Sequence, residues 1–237
     1  MTKSIKHFLW GIIFFLCQLI SAGQQNNIDS LLHVLKTTKE DTTQINILHT
    51  LFLHYEFEDK KKADEFLDQS FIIAKNADLK KNLAQSYLYK GYSSEDKSEY
   101  AEALKNYSEA LKIFELIKND KGIAACRMTI GNVFMSQGNY PESLKNYFEC
   151  LKIYEKINHS YGIASCYGNI GSIYSKQKNY SDALKNQTAS LKIYTSIKSK
   201  LGMAYAHNNI GLNYYYLRNN SAKSFRKVPE SRAPLTP

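Results

Sequence analysis

Apolar residues recur along this chain at spacings of three and four, with polar residues between them. In one stretch the apolar stripe runs through Ile163, Tyr167, Ile170 and Tyr174. This spacing is typical of an amphipathic α-helix that buries one face. A polar break at 178–180 separates that stripe from the next one of the same kind. The pattern therefore predicts helices joined in pairs, that is, helical hairpins.

The same pattern returns with a fixed 40-residue period. Seven of the 11 glycines fall on this period, in two series: Gly91, Gly131, Gly171 and Gly211, then Gly122, Gly162 and Gly202. A fixed period of this length indicates a repeat protein whose units stack on one another. We therefore predict about four hairpins and one unpaired helix over residues 42–218.

These repeats resemble the tetratricopeptide repeat family. The family pattern falls on two successive repeats, at Ile130, Gly131, Phe134, Ser143, Tyr147 and Cys150, and at Tyr167, Ile170, Gly171, Tyr174 and Ala183. The resemblance implies an all-α fold, a right-handed α-solenoid of stacked helical hairpins whose first helices line a concave surface. Leu51 and Gln187 depart from the pattern, since a glycine and an aromatic residue are expected there.

Both ends of the chain differ from the repeats. Residues 1–23 combine a basic start, an apolar run and small residues at the end, which predicts a secretory signal peptide. Residues 24–41 predict a short capping helix and a linker, and residues 219–237 an irregular basic tail. The 40-residue shift puts Ser224 and Lys227 at core positions. We therefore expect a truncated or frame-altered family member whose uncapped final helix self-associates.

The net charge of +9 first suggests a nucleic-acid partner. However, six of these nine charges lie in the first 23 residues and in the stretch from Arg218 onward. The repeats themselves carry too small an excess of positive charge to require phosphate ligands. We therefore expect no nucleic acid as a partner, and membrane contact only if the leader is not cleaved.

Motifs of known catalytic or metal sites are absent from the sequence, and we expect no enzyme activity, cofactor or metal. The histidines are scattered, and His49 and His54 are about 140° apart around a helix, which does not form one ligand face. The cysteines at 126, 150 and 166 stand at small core positions of the repeats. Cys150 and Cys166 are the one pair for which a disulfide remains an alternative to two free thiols.

The candidate site is the surface of the first helices. Amide side chains there can both donate to and accept from the backbone of an extended peptide. The candidate peptide-binding residues are Asn132, Asn169, Ser172, Lys176, Asn208, Asn209 and Tyr215. The alternative for each asparagine is a hydrogen bond at the helix surface or within its own repeat. Met128, Gly168 and Asn208 stand where a carboxylate clamp would need basic residues, so chaperone C-terminal tails are not predicted ligands.

The sequence thus predicts an exported, non-catalytic scaffold that binds a protein or peptide, as the sensing or interaction part of a signalling system. The 40-residue period resembles that of kinesin light chain, and the leader resembles secreted bacterial members of the family. The alternative is the N-terminal region of a histidine kinase, a nucleotide cyclase or a transcription regulator whose output domain lies beyond this chain. A nucleic-acid binder acting through the basic tail is a third, weaker interpretation.

Overall fold

The computed structural model describes the backbone of residues 27–226 and the side chains of residues 27–219, and every regular element in that range is an α-helix. The chain divides into two compact units, Met1–Ile113 and Phe114–Pro237, called the N-terminal and C-terminal units below. The helices are α1 (27–37), α2 (Asp41–Tyr55), α3 (Lys60–Asn76), α4 (Lys80–Asp96), α5 (Tyr100–Leu116), α6 (Asp120–Ser136), α7 (Tyr140–Lys156), α8 (Ser160–Lys176), α9 (Tyr180–Ser196) and α10 (Lys200–Arg226). The prediction of an all-α fold of repeated helical hairpins is confirmed.

The repeat consists of two similar halves, each made of one helix and one linker. Each helix from α3 to α9 has 17 residues. Three residues join it to the next helix, and the middle one has a positive φ. These residues are Asp78, Ser98, Lys118, Gly138, Asn158, Lys178 and Lys198. The chain therefore turns in the same way after each helix from α3 to α9, and not only once per repeat.

The turn around Gly138 shows how each helix ends. The N–H of Asn139 donates to the carbonyl of Phe134 (2.8 Å), and that of Gly138 donates to the carbonyl of Met135 (3.1 Å). This pair of bonds is a Schellman motif, which places a left-handed residue after the helix. Asn139 then caps α7 with its side chain, and Pro141 occupies the first turn, where a missing N–H has no cost. One three-residue linker thus ends one helix and starts the next.

The N-terminal unit is closed at its first hairpin by α1. Ile28 of α1 is buried and packs in one cluster with Leu48, Leu51 and Phe66. Leu51 is fully buried at the position where later repeats carry a glycine. The first hairpin therefore fills this position with a core side chain, which accounts for the departure from the family pattern.

Four of the six recurrent glycines of the C-terminal unit lie under aromatic rings: Gly122, Gly131, Gly162 and Gly202. A Cβ added to Gly131 would lie 2.7 Å from Cε1 of Tyr147, the ring on the other helix of the same hairpin. A Cβ added to Gly162 would lie 2.5 Å from Cδ2 of Tyr154, on the helix before it. Real Cβ atoms essentially never come so close to a ring, so both positions require glycine for steric reasons. The first helix of a hairpin is therefore held by tyrosines of the second helices on either side of it.

The final helix is longer than predicted. We expected an irregular tail from residue 219, but α10 continues to Arg226. The residues after Gly211 contain no glycine or proline before Pro229, so nothing in the sequence interrupts the helix. The tail prediction was based on the loss of apolar spacing, which removes a packing face without preventing the backbone from staying helical.

The predicted signal peptide, residues 1–23, lies outside the described residues, and so do residues 227–237. Across residues 27–226, no helix is both long enough and apolar enough to cross a bilayer.

Candidate functional site

A groove of about 340 Å³ lies in the C-terminal unit, between α8, α9 and α10. We call it the C-terminal groove. Its polar side chains include Asn169 and Ser172 of α8 and Asn209 of α10, and its aromatic side chains are Tyr161, Tyr194 and Tyr205. Asn169 and Asn209 are separated by one period and hold the same position in successive repeats. The groove therefore presents equivalent amides from two neighbouring first helices.

Three of the seven predicted residues, Asn169, Ser172 and Asn209, line this groove. Asn132 is half-buried beside them. Its Oδ1 accepts a 2.7 Å hydrogen bond from the hydroxyl of Tyr147 and lies 3.5 Å from Nδ2 of Asn169. The alternative interpretation, a hydrogen bond within the repeat, therefore applies to Asn132. Asn132 also contacts the side chain of Asn169 in the next repeat.

The other three predicted residues, Lys176, Asn208 and Tyr215, are exposed and do not line the groove. Asn208 precedes Asn209 and is therefore rotated by about 100° around α10. Tyr215 lies six residues after Asn209, about 120° away around the helix, where its ring packs edge to face on Tyr216. Lys176 is one turn beyond Ser172, in the last turn of α8. These three residues lie outside the C-terminal groove, and their role in peptide binding stays a prediction.

All side chains that line the C-terminal groove are uncharged. The hydroxyl of Tyr194 lies 2.9 Å from Oγ of Ser165, and its ring packs edge to face on Tyr161 with centroids 5.4 Å apart. Burial raises the pKa of Tyr194 above its usual value, so this hydroxyl remains protonated at neutral pH. The groove can therefore recognise a ligand by hydrogen bonds and aromatic contacts, without ion pairs.

The tyrosines and Gln187 of this groove were missed by the sequence analysis. Tyr161 and Tyr205 stand in first helices, but at other repeat positions than the predicted residues. Tyr194 lies on the buried face of α9 and packs in a buried cluster with Ala164 and Ala206. A tyrosine at such a position can belong to the core through its ring and to the groove through its edge and hydroxyl.

A second groove, of about 440 Å³, lies in the N-terminal unit between α2 and α4. We call it the N-terminal groove. Asn46 and His49 of α2 and Asn82, Gln85 and Tyr89 of α4 line it. The sequence analysis missed this site because His49 and Tyr89 stand where the later repeats carry Asn169 and Asn209. Subtracting multiples of 40 from 169 and 209 leads to positions 49 and 89. The period alone does not show that these two positions share a groove.

His49 is the one titratable group of the N-terminal groove with a strongly altered pKa. Burial lowers this pKa from 6.5 to about 4. The ring nitrogen Nε2 lies 2.9 Å from Oγ of Ser86, which in turn lies 3.2 Å from Oγ of Ser70. His49 is therefore neutral at physiological pH, and its ring belongs to a buried polar chain between hairpins.

A larger cavity, of about 560 Å³, lies between α3, α4 and α5 of the N-terminal unit. Its charged side chains pair with each other. Lys90 lies 2.6 Å from Asp68, and Lys97 lies 2.6 Å from Asp64, which also accepts a 2.7 Å hydrogen bond from Ser93. Because these charges already have partners at the protein surface, this cavity is a weaker candidate for a binding site than the C-terminal and N-terminal grooves.

Among residues 27–219, no group of three or more His, Cys, Asp or Glu side chains could hold a metal ion.

Comparison with known proteins places these features in a family. The model of the tetratricopeptide repeat matches residues 82–156 and again residues 122–196. Over 82 residues the chain is 37% identical to the photosystem I assembly protein Ycf3 of Synechococcus sp. (strain CC9902), a match that covers 32% of this chain and 46% of that protein. The stacked hairpins over residues 82–196 belong to the tetratricopeptide repeat family.

The solved structures that share the fold include the following two. One is a signal transduction ATPase with numerous domains from Pyrococcus horikoshii, which has a tetratricopeptide repeat sensor; it has a TM-score of 0.69 and 19% identity, and the match covers 90% of this chain and 35% of that one. The other is a Rap protein complexed with competence and sporulation factor, with a TM-score of 0.70, 16% identity and coverages of 85% and 62%. The chain therefore spans less than half of Ycf3 and about a third of the ATPase. The identities of 19% and 16% to the two solved structures show a common fold and no more.

Proposed function

We propose that this protein is a non-catalytic scaffold that binds an extended peptide segment of a partner protein in the C-terminal groove. The observation that supports this proposal is the pair of equivalent amides, Asn169 and Asn209, one repeat apart in a groove without charged side chains. A side-chain amide can donate to a peptide carbonyl and accept from a peptide N–H. Two such amides on successive first helices suit a ligand whose own hydrogen-bonding groups repeat along its length.

The aromatic lining supports the same kind of ligand. Tyr161, Tyr194 and Tyr205 provide apolar area next to the amides. Tyrosine contributes a large contact surface at a low cost in conformational entropy, and its hydroxyl adds a polar contact. A peptide with apolar or aromatic side chains next to its bonded backbone would use both features. The Rap protein complexed with competence and sporulation factor is a further argument by analogy.

We also propose that the chain is exported and serves as the sensing or interaction part of a signalling system. The predicted signal peptide over residues 1–23 supports export. The sensor role of the repeats in the Pyrococcus horikoshii ATPase supports a sensing function by analogy. A fusion of residues 1–40 to a reporter that is active only outside the cytoplasm tests export, and an inactive fusion would contradict it.

Peptide binding is tested with a displayed library of random peptides, selected on the purified chain. An enriched peptide is then titrated by fluorescence polarisation against the wild type and the Asn169→Ala/Asn209→Ala variant. Two lost hydrogen bonds to the ligand are expected to weaken binding on the order of tenfold or more. Asn208→Ala is the matched control, because Asn208 has the same side chain and lies next to Asn209, but outside the groove.

Each of three outcomes would contradict the proposed function. In the first, the library yields no peptide, and in the second, the double variant binds as tightly as the wild type. In the third, Asn208→Ala weakens binding as much as the double variant does. Circular dichroism of each variant separates lost binding from lost folding.

A further inference from the structure

Two thiols touch in the core of the C-terminal unit. Sγ of Cys150 on α7 and Sγ of Cys166 on α8 are 3.3 Å apart, and both side chains are fully buried. Cys150 belongs to the second helix of one hairpin, and Cys166 belongs to the first helix of the next. This contact therefore joins two successive hairpins of the array.

The short distance between these two side chains comes from the backbone of the repeat and does not require cysteine. The equivalent positions two repeats earlier hold Ser70 and Ser86, whose Oγ atoms are 3.2 Å apart. In the same way, Cys150 lies 3.1 Å from the carbonyl of Ala124, and Ser190, one repeat later, donates to the carbonyl of Ala164 at 2.8 Å. The backbone thus brings these two positions together whichever small side chains they carry.

Two sulfurs meet at one junction of the array alone. The equivalent pairs of positions hold Ser70 and Ser86, Ala110 and Cys126, Cys150 and Cys166, and Ser190 and Ala206. Cys126 therefore has the same register as Cys166 but an alanine at the partner position. In sequence, the 40-residue period therefore pairs the thiol at 166 with a second thiol and the thiol at 126 with an alanine.

We propose that Cys150 and Cys166 form a thiol–disulfide site, which a small-molecule disulfide or a disulfide-bearing oxidoreductase converts to an intramolecular bond. A thiolate of one cysteine attacks the disulfide RS–SR, forms a mixed disulfide and releases RS⁻. The second cysteine then attacks the mixed disulfide, closes the Sγ–Sγ bond and releases the second RS⁻. The two cysteines lose two electrons and two protons, and the oxidant becomes two molecules of RSH.

Burial decides when this reaction takes place. The hydrogen bond to Cys150 and burial raise the pKa of Cys166, so the nucleophilic thiolate is scarce in the folded chain. The exchange is therefore slow in the folded state and proceeds during folding, or when the two hairpins part. Once formed, the bond holds α8 against α7, and α8 carries Asn169 and Ser172.

The experiment uses the full chain with Cys17→Ser, so that three cysteines remain. The chain is unfolded, fully reduced and refolded in a mixture of oxidised and reduced glutathione, and its disulfides are mapped by mass spectrometry after non-reducing digestion. We expect one bond, between Cys150 and Cys166, and a free Cys126. Because the bond closes a 15-residue loop, the melting temperature of the oxidised chain should exceed that of the reduced chain by on the order of 5 °C.

The repeat supplies the matched variants. Cys150→Ser and Cys166→Ala introduce the residues found at the equivalent positions 190 and 206, so both should fold while losing the bond and the effect of reductant on melting. Cys126→Ala should keep both. A refolded chain with three free thiols, or one in which Cys126 is the bonded cysteine, would overturn the proposal. So would a melting temperature that does not change on reduction of the mapped bond.

Discussion

Asn213 on α10 donates a 2.6 Å hydrogen bond from Nδ2 to Oε1 of Gln187 on α9, and both side chains are almost fully buried. One repeat earlier, the same two positions hold the buried Ile173 and Tyr147. The last repeat has therefore replaced an aliphatic and an aromatic core residue with two amides that pair with each other. Oδ1 of Asn213 has no hydrogen-bond partner among the described residues, so the exchange leaves one buried acceptor unsatisfied.

Restoring the earlier pair should stabilise the protein. Gln187→Tyr with Asn213→Ile removes the unsatisfied acceptor and adds buried apolar area, and we expect the free energy of unfolding to rise by about 1–3 kcal/mol. Either single substitution leaves one amide buried without its partner and is expected to lower this free energy by a similar amount. Urea unfolding of the four proteins forms a double-mutant cycle. Additive effects of the two substitutions would show that the amides do not depend on each other.

Two glycines at equivalent positions should respond in opposite ways to alanine. A Cβ at Gly131 would lie 2.7 Å from the ring of Tyr147, whereas a Cβ at Gly211 would meet nothing within 4 Å. Gly131→Ala is therefore expected to lower the free energy of unfolding by about 1–3 kcal/mol through overpacking. Gly211→Ala is expected to raise it by about 0.5–1 kcal/mol, because alanine favours the helix. Equal effects in chemical denaturation would refute the packing role of the first series of glycines.

The contact of Gly131 with Tyr147 also explains why the hairpins could be predicted from sequence. The glycine and the residue that packs on it keep the same separation in successive repeats, and their packing constrains both helices of a hairpin at once. The groove was less predictable, since Asn208 and Asn209 are identical neighbours. Their difference comes from the rotation of α10, which buries Ala206 and Asn213 and turns Asn209, on the same face, towards the groove.

The N-terminal groove could not be recognised from residue types, because its equivalent positions carry His49 and Tyr89 in place of asparagine. From sequence, a pairing of Cys150 with Cys166 could be named as an alternative to two separate thiols, but the sequence did not decide between the two. That choice depends on how closely α7 approaches α8, a distance that the period does not supply.

The residue with positive φ in each linker provides a further test. Lys178 has a φ of 64°, a left-handed conformation that costs a residue with a Cβ about 1–2 kcal/mol. Glycine adopts it freely but loses more entropy on folding, so Lys178→Gly should raise the stability by a net amount of about 0.5–1 kcal/mol. Lys185→Gly is the matched control, since Lys185 is an exposed lysine within α9, and it should lower the stability by about 1 kcal/mol. Thermal melts of the two variants should therefore shift in opposite directions, and a loss of stability in both would contradict the conformational argument.

His49 should make the stability of the protein depend on pH. Its pKa is lowered to about 4 in the folded chain by burial and is about 6.5 in an unfolded chain. Between these two values the unfolded state binds more protons, so the free energy of unfolding falls as the pH decreases from about 6.5 to about 4. The stabilisation from His49 is fully present above pH 6.5, and its total size is on the order of 3 kcal/mol.

His49→Gln keeps a polar partner for Ser86 but does not titrate. Urea unfolding at pH 7 and pH 5 should therefore show a smaller loss of stability in the variant than in the wild type, whereas equal losses would show that another group causes the pH dependence.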